Sequence, residues 1–257
     1  MRSPAIVFLM YHELELPGRS LVRSEPGYVR YILPLQAFHS QMAWLREHGW
    51  VGLSVSEALA YPSGKSVAIT FDDGCETDLI TAAPILQDIG YHATFYVTSG
   101  FLDKPGYLSS SQLRQLSTAG FEIGCHSMTH PYLNDLDDSG LYREMVEARS
   151  KLEQLIGKKV EHFSCPGGRY DQRTLSLARG SGYRSLATSR PHRNSRTTSP
   201  FSLGRVVVMR ETDPDTFSHL CSGNGLWKIR LAGAVRGAAR RTLGNAFYDR
   251  VRAKLLR

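Results

Sequence analysis

The sequence predicts an α/β protein built as a single distorted (β/α)7-type barrel. Seven short apolar runs recur along the chain, with helix-like segments between them. The runs are continuous rather than alternating, which is typical of strands buried on both faces of a parallel sheet. The length of 257 residues suits one such barrel. The predicted strands cover residues 5–11, 67–71, 94–97, 121–124, 162–164, 183–187 and 205–209.

The predicted helices lie between these strands and have recognisable ends. Residues 35–48 place Phe38, Met42 and Leu45 on one face, and Gly49 ends the pattern. The other predicted helices cover residues 84–89, the segment from Ser109 or Ser110 to Gly120, residues 138–156, and a segment that Asp171 caps and that ends near Gly182. We therefore predict one barrel domain at residues 1–223, followed by a tail at residues 224–257.

Local patterns exclude several other classes of protein. The four cysteines form no C-x-x-C pair, so we expect reduced thiols and a cytoplasmic protein. The apolar run at residues 5–11 stops at His12 and Glu13 without a cleavage site, which indicates a buried strand rather than a signal peptide. The sequence contains no apolar run of 18 residues that would span a membrane.

The tail at residues 224–257 carries the excess positive charge of the chain. It holds nine basic residues and one acidic residue, which leaves 22 basic and 23 acidic residues in the remainder. Apolar residues recur in it at helical spacing, beginning with Trp227 and Leu231, and this pattern is typical of a helix lying on an anionic membrane. Gly233, Gly237 and Gly244 weaken the helix, and packing on the barrel or in a homodimer is the alternative. Nucleic acid is not expected, because the barrel lacks a basic aromatic groove.

Two carboxylates mark the end of the second predicted strand. The sequence Thr-Phe-Asp-Asp-Gly at residues 70–74 places Asp72 and Asp73 where parallel α/β domains have their active sites. Adjacent residues of an extended chain point in different directions, so one carboxylate can bind a metal while the other faces a substrate. The triplet Asp-Asp-Gly also occurs in ordinary turns that cap a helix.

Two histidines follow the strand predicted at residues 121–124. His126 and His130 are four residues apart, and in a helical turn this spacing places both imidazoles on one face, as in a metal chelate. The alternative to a metal chelate is that the two histidines are unrelated and merely lie near a loop. With Asp73 they would form a three-ligand set with open positions, which is typical of a catalytic rather than a structural metal site.

These motifs together resemble the NodB-homology polysaccharide deacetylases, carbohydrate esterase family 4, across roughly residues 6–222. Residues 70–74 resemble the first motif of that family, and residues 126–130 resemble the second. The resemblance implies that Asp73, His126 and His130 bind a divalent metal, with zinc favoured over cobalt, nickel or manganese. It also implies that Asp72 is the general base that activates water.

The third motif departs from the family pattern. Residues 163–168 read Phe-Ser-Cys-Pro-Gly-Gly, and Ser164 stands where an arginine is common. Arg169 or Asp171 are the candidates to replace that arginine. Gly167 stands where the family usually has an aromatic residue, and its backbone N–H is a candidate to hold an oxyanion.

The histidine expected to act as general acid also lies at a different place in the sequence than is usual in the family. No Leu-x-His occurs near the C-terminus, whereas His12 follows the first predicted strand. The chain thus resembles exopolysaccharide and adhesin deacetylases with a rotated strand order, similar to the poly-N-acetylglucosamine enzymes. A core histidine bonded to the backbone is the alternative for His12. The loop at residues 15–33, which follows this strand, is either a sugar-binding rim or a solvated hairpin.

The resemblance implies metal-dependent N-deacetylation of acetylated amino sugars of the N-acetylglucosamine type. The expected substrate is a bacterial surface polysaccharide, as in holdfast or capsule assembly, or its lipid-linked precursor, and the expected location is the inner membrane surface. Two alternatives remain open, namely hydrolysis of a small non-sugar amide and a catalytically inactive glycan- or membrane-binding module.

Overall fold

The molecule is built around a curled and mostly parallel sheet. The structure is a computed structural model that describes residues 5–60 and 65–231. Its strands are β1 (Ala5–Tyr11), β2 (Leu14–Glu15), β3 (Leu33–Pro34), β4 (Val51–Leu53), β5 (Ser66–Asp73), β6 (Thr94–Val97), β7 (Glu122–Cys125), β8 (His162–Ser164), β9 (Ser185–Ala187), β10 (Asn194–Ser195) and β11 (Val206–Val207). The order in the sheet is β10-β1-β5-β6-β7-β8-β9, with β4 beside β5 and β11 beside β1, while β2 and β3 form a separate parallel pair.

Helices surround this sheet. They are α1 (Pro26–Val29), α2 (Leu35–Glu47), α3 (Val55–Ala60), α4 (Ala83–Asp88), α5 (Ser110–Thr118), α6 (Asp138–Tyr142), α7 (Ala148–Ile156), α8 (Gln172–Gly180) and α9 (Pro214–Ser222). Single π-helical turns, Asp78–Ala82 and Arg143–Glu147, precede α4 and α7. Among the described residues, no helix combines the length and apolar character needed to cross a membrane.

The predicted fold class is confirmed. All seven predicted strands are present, and their ends differ from the prediction by at most two residues. The helix predicted at residues 138–156 is present, but a π-helical turn interrupts it. The sequence reasoning missed α1, α3 and α9 as well as four short strands. α9 had a usable signal, because Asp213 caps its first turn and Pro214 occupies a position where proline is favoured.

The rotated strand order makes β1 an inner strand, second from one end of the sheet. β1 pairs in parallel with β5 on one side and with β11 on the other. Just before β11, Leu203 forms a single parallel bridge with Ala187 of β9. The segment at residues 203–207 therefore contacts both ends of the curled sheet, and the barrel closes through only a few hydrogen bonds.

Alternation along β1 and β5 separates the barrel interior from the outer core. Ile6 and Phe8 of β1 pack with Ala68 of β5 in a small cluster inside the barrel. Their neighbours on β1 belong to the larger core between sheet and helices. Because side chains alternate along a strand, Asp72, four residues after Ala68, lies on the interior side.

A buried polar network closes the other end of the sheet, where the strands begin. His162 lies 2.8 Å from the hydroxyls of both Ser56 and Ser185, and 3.4 Å from Glu122. The carboxylate of Glu122 accepts hydrogen bonds from the Thr94 hydroxyl and from the first N–H groups of α3. Burial by itself would raise the pKa of Glu122, but the hydrogen bond and charge of His162 and the hydroxyl donors lower it to about 2. The network thus ties four strands, β6 to β9, to the N-terminus of α3.

We predict that Glu122→Gln lowers the free energy of unfolding by about 1–3 kcal/mol at neutral pH, because buried donors lose a charged acceptor. The contribution of the carboxylate is present above its unfolded pKa of roughly 4.3 and is lost as the pH falls towards its folded value. Urea unfolding at several pH values measures both effects. The control is Glu161→Gln, whose ion pair with Arg184 is largely exposed, and we expect a change below about 1 kcal/mol. Equal losses in the two variants would contradict the role of the network.

Candidate active site

The Asp-Asp-Gly motif lies at the C-terminal end of β5, as predicted. Asp73 has a φ of 80° and Gly74 a φ of 79°, so the chain leaves the strand through two left-handed residues. A Cβ on Gly74 would lie 2.9 Å from the Val97 side chain, which explains why glycine is needed there. This turn carries the Asp73 carboxylate to the two histidines, while Asp72 remains on the interior face.

The His-x-x-x-His motif does not form the expected helical turn. Residues 126–130 form an irregular loop after β7, and Ser127 and His130 both have positive φ. The buried carboxylate of Glu144 organises this loop by accepting hydrogen bonds from the backbone of Met128 and from the backbone and hydroxyl of Thr129. The helical expectation was wrong because these contacts satisfy the loop backbone without a helix.

The loop nevertheless brings the three predicted ligands together. Oδ1 of Asp73 lies 3.5 Å from Nε2 of His126 and 3.4 Å from Nε2 of His130. One ligand atom from each residue lies within 4.8 Å of the others. Such spacing leaves room for one cation among two imidazoles and a carboxylate, a donor set that suits zinc and similar divalent ions.

Three further observations show that these groups fit a cation. Nδ1 of His126 lies 2.8 Å from the carbonyl oxygen of Ser164, which can only accept, so Nε2 presents its lone pair towards Asp73. Burial lowers the pKa of His126 to about 4, which keeps the ring neutral as metal binding requires. Oδ1 of Asp73 is buried and has no hydrogen-bond partner among the described residues.

Asp72 is held by a residue that the sequence reasoning missed. Nη1 and Nη2 of Arg205 each donate to one carboxylate oxygen of Asp72 at 2.7 Å, and both side chains are almost fully buried. Burial by itself would raise the pKa of Asp72, but the charge and hydrogen bonds of Arg205 hold it well below its usual range. Asp72 is therefore an ionised carboxylate in a fixed orientation.

Arg205 corrects the expectation that Arg169 or Asp171 replaces the motif arginine. Arg169 stacks on Tyr132, and Asp171 caps α8. Ser164 supports the actual replacement, because its small side chain leaves room for Arg205 and its hydroxyl accepts from Nη2 at 2.6 Å. The available signal was an arginine at the start of an apolar run, but its partner lies 133 residues away in sequence.

His12 follows β1, which runs beside β5. Tyr11 pairs with Phe71, so the next residues, His12 and Asp72, leave the two strands at the same level. Burial lowers the pKa of His12, against the opposing charges of Asp73 and Asp72, and a lower pKa makes the protonated ring a stronger acid. Nδ1 of His12 has no hydrogen-bond partner among the described residues. This atom therefore gives no support to the alternative that His12 is a core histidine bonded to the backbone.

Gly167 lies in a tight turn after β8 and has a φ of 59°. The Tyr132 ring packs against it, and a Cβ at Gly167 would lie 2.9 Å from that ring. The turn thus requires glycine on two grounds. The role of its N–H towards an oxyanion stays a prediction.

The four cysteines are buried and free, including Cys75, Cys125 and Cys165 beside the three motifs. None belongs to the ligand cluster found among residues 5–60 and 65–231, so they fit the role of small core residues.

The loop after β1 reaches over the site. The hydroxyl of Tyr28 donates to Oδ2 of Asp73 at 3.1 Å, and the Tyr31 ring centroid lies 5.3 Å from that of His12. Of the two interpretations offered for this loop, these contacts favour a rim of the site over a solvated hairpin. Tyr28 was not singled out as a site residue, because a single tyrosine in a polar loop gives no signal.

Comparison with known proteins identifies the family. The family model described as polysaccharide deacetylase matches residues 60–186. The protein YxkH of Bacillus subtilis (strain 168), named for polysaccharide deacetylation, is 30% identical over 206 residues, which cover 78% of this chain and 70% of that protein. The chain belongs to the polysaccharide deacetylase family. The prediction of an amide-hydrolysing enzyme of this family is thereby confirmed.

More distant members of the family match over different lengths. A poly-beta-1,6-N-acetyl-D-glucosamine N-deacetylase from Staphylococcus aureus (strain MRSA252) is 22% identical, with 74% of this chain and 71% of that protein covered. The chain spans only 57% of a Bacillus cereus peptidoglycan-N-acetylglucosamine deacetylase, to which it is 29% identical over half of its own length (49%).

Solved structures agree with the fold. The Streptococcus pyogenes deacetylase PplD superposes with a TM-score of 0.76 at 24% identity, covering 86% of this chain and 99% of that one. The IcaB structure from Ammonifex degensii gives a TM-score of 0.71 at 23% identity, covering 86% and 97%. At these identities the likeness shows the deacetylase fold alone.

We predict that Tyr28→Phe weakens zinc binding about 3- to 10-fold, because the outer oxygen of Asp73 loses the donor that orients it. Competition with a chromophoric chelator measures the affinity. The control is Tyr91→Phe, which removes a hydroxyl bonded to the Trp50 carbonyl away from the site. Unchanged affinity in Tyr28→Phe would show that the Tyr28 hydroxyl does not position this carboxylate.

Proposed function

We propose that this protein is a metal-dependent N-deacetylase of N-acetylglucosamine-type sugars in a bacterial surface polysaccharide or its lipid-linked precursor. The observation that carries the proposal is the position of the ionised Asp72, whose Oδ2 lies 3.7 Å from Nε2 of His126. A general base thus stands beside a three-ligand cluster. The relative that acts on poly-N-acetylglucosamine supports the class of sugar.

The residues have distinct tasks in this reaction. Asp73, His126 and His130 hold a divalent ion, with zinc proposed, which when bound acidifies water and polarises the acetyl carbonyl. Asp72, fixed by Arg205, takes the proton of the attacking water. The Gly167 N–H is proposed to stabilise the oxyanion. His12 gives a proton to the departing amine, so that acetate and a free amino sugar are released.

Arg205 also bears on the predicted alternatives. Ser164 in place of the motif arginine is what leaves open an inactive glycan- or membrane-binding module. Arg205 restores a guanidinium to the base from the segment just before β11, which favours an active enzyme. A small non-sugar amide as substrate is distinguished by comparing chitotetraose with simple acetamides, since the proposal expects acetate from the sugar.

We predict that Asp72→Asn retains zinc but lowers acetate release from chitotetraose about 100- to 10,000-fold, because the amide cannot take a proton. Arg205→Lys keeps the positive charge but loses the two-point contact, and we expect an intermediate loss of about 10- to 100-fold. Elemental analysis and an acetate assay measure metal and turnover on the same sample.

The control for these variants is Asp88→Asn, an exposed residue of α4, which should behave as wild type. Full activity in Asp72→Asn would remove Asp72 from its role as base. No acetate release by zinc-loaded wild-type protein from any N-acetylated sugar would contradict the proposed function itself.

We further propose that the basic tail attaches the protein to the inner surface of the cytoplasmic membrane. Most of the tail lies outside the described residues. Its beginning, residues 226–231, is helical, and Trp227 and Leu231 are 64% and 61% exposed. Four residues apart, they lie on one face of the helix. These two exposed side chains support an apolar face that meets lipid.

We predict that the full chain sediments with vesicles containing phosphatidylserine and not with vesicles of pure phosphatidylcholine. The double variant Trp227→Ser/Leu231→Ser should bind the phosphatidylserine vesicles about tenfold more weakly. The matched control is Tyr142→Ser, which removes an aromatic ring that is 50% exposed on α6. Loss of a dimer in the double variant, measured by light scattering, with unchanged sedimentation would favour a subunit interface instead.

A further inference from the structure

We propose that the glycan deacetylated by this protein carries anionic groups, and that four cationic side chains around the site recognise them. This inference rests on the proposed function, because it names the substrate class of the same site. It starts from aromatic side chains in the loops that follow β1, β6 and β7.

Four aromatic rings each contact one predicted site residue. The contacts are a hydrogen bond, two ring pairs and one close packing contact, all on the edge of the sheet where the strands end. They join Tyr28 to Asp73 at 3.1 Å, Tyr31 to His12 at 5.3 Å between centroids, Phe101 to His130 at 6.3 Å between centroids, and Tyr132 to the turn at Gly167.

Each of these rings also holds a cation against its face. The distances from the charged group to the ring centroid are within the range of cation–π contacts. The pairs are Arg23 over Tyr28 at 4.8 Å, Arg30 over Tyr31 at 5.9 Å, Lys104 over Phe101 at 5.1 Å, and Arg169 over Tyr132 at 3.5 Å. The site is therefore bordered by four rings that each position a positive charge.

This concentration of positive charge is local. Residues 1–223 have 22 basic and 23 acidic residues, so the barrel as a whole carries no basic excess. Within the group, Arg23 lies 3.5 Å from Glu25, and both of these side chains are at least half exposed. Such an exposed pair is weak and exchanges readily with another anion.

The arrangement suits an anionic glycan better than a neutral one. A neutral sugar binds an aromatic side chain through its open face, whereas a cation here occupies one face of each ring. Guanidinium groups match the planar oxygens of carboxylates and phosphates, which uronic acids and sugar phosphates supply. In addition, a neutral polymer becomes polycationic as its acetyl groups are removed, and this border would repel it. Anionic groups in the polymer offset that charge.

The test compares three probes on zinc-loaded wild-type protein: neutral chitotetraose, a hyaluronan tetrasaccharide with carboxylates, and N-acetylglucosamine 1-phosphate. We expect kcat/KM for acetate release to be at least about tenfold higher for one anionic probe at about 20 mM salt. The preference should shrink at about 300 mM salt, where exposed charges are screened. The two anionic probes distinguish carboxylate from phosphate as the recognised group.

Variants test the cations themselves. Arg30→Gln and Arg169→Gln should each lower the anionic-to-neutral preference about 3- to 10-fold, mainly through KM. The control is Arg179→Gln, because Arg179 also stacks on an aromatic ring, that of Phe201, but at the C-terminal end of α8, where the strands begin. Thermal unfolding of each variant verifies that it folds.

Equal kcat/KM for all three probes at low salt, or a preference that salt does not change, would overturn the inference and leave the proposed function intact. Absence of acetate release from every probe would instead overturn the proposed function. In that case calorimetric binding of the probes to wild-type protein decides the inference, since tighter binding of an anionic probe supports it and equal binding overturns it.

Discussion

Inside the barrel, Asp72 and Arg205 form a two-point ion pair from which solvent is excluded, and the site depends on it. Burying two charges costs free energy unless further hydrogen bonds satisfy the remaining donors and acceptors. Arg205 meets that condition, because its five N–H donors are all used, by the two Asp72 oxygens, Thr70, Ser164 and the Thr188 carbonyl. The Asp72 carboxylate is consequently fixed and ionised before any substrate arrives.

The two ends of the sheet use buried polar residues for different purposes. Where the strands begin, Glu122 and His162 are fully engaged with hydroxyls and with the first turn of α3, so their contacts hold strands to a helix. Where the strands end, Asp73 and His12 each keep a buried atom without a partner among the described residues. Buried polar side chains with hydrogen-bond partners stabilise the end where the strands begin. Buried polar atoms without partners at the opposite end are available to bind a ligand.

The left-handed residues of the site explain how adjacent positions act separately. Positive φ at Asp73 and Gly74 turns the chain just after Asp72, so one carboxylate faces the barrel interior and the next faces the histidines. Positive φ at Ser127 and His130 likewise turns the chain in the loop after β7, where hydrogen bonds to Glu144 fix the backbone. Strained residues of this kind persist only where neighbouring contacts hold them, and they cluster at functional sites.

The sequence by itself determined the strand pattern, the family and the residues that gather at the strand ends. Continuous apolar runs and glycine stops reflect local burial and helix termination, so they can be recognised from neighbouring residues alone. The pairing of Arg205 with Asp72 could not be recognised in this way, because the two residues are 133 positions apart in sequence and meet only when the barrel closes. The helical turn expected at residues 126–130 failed for the same reason, since Glu144, the residue that organises this loop, comes from the next helical segment. Only the tertiary structure decided which charges meet, because an ion pair or a loop contact depends on distances in space that spacing along the chain does not encode.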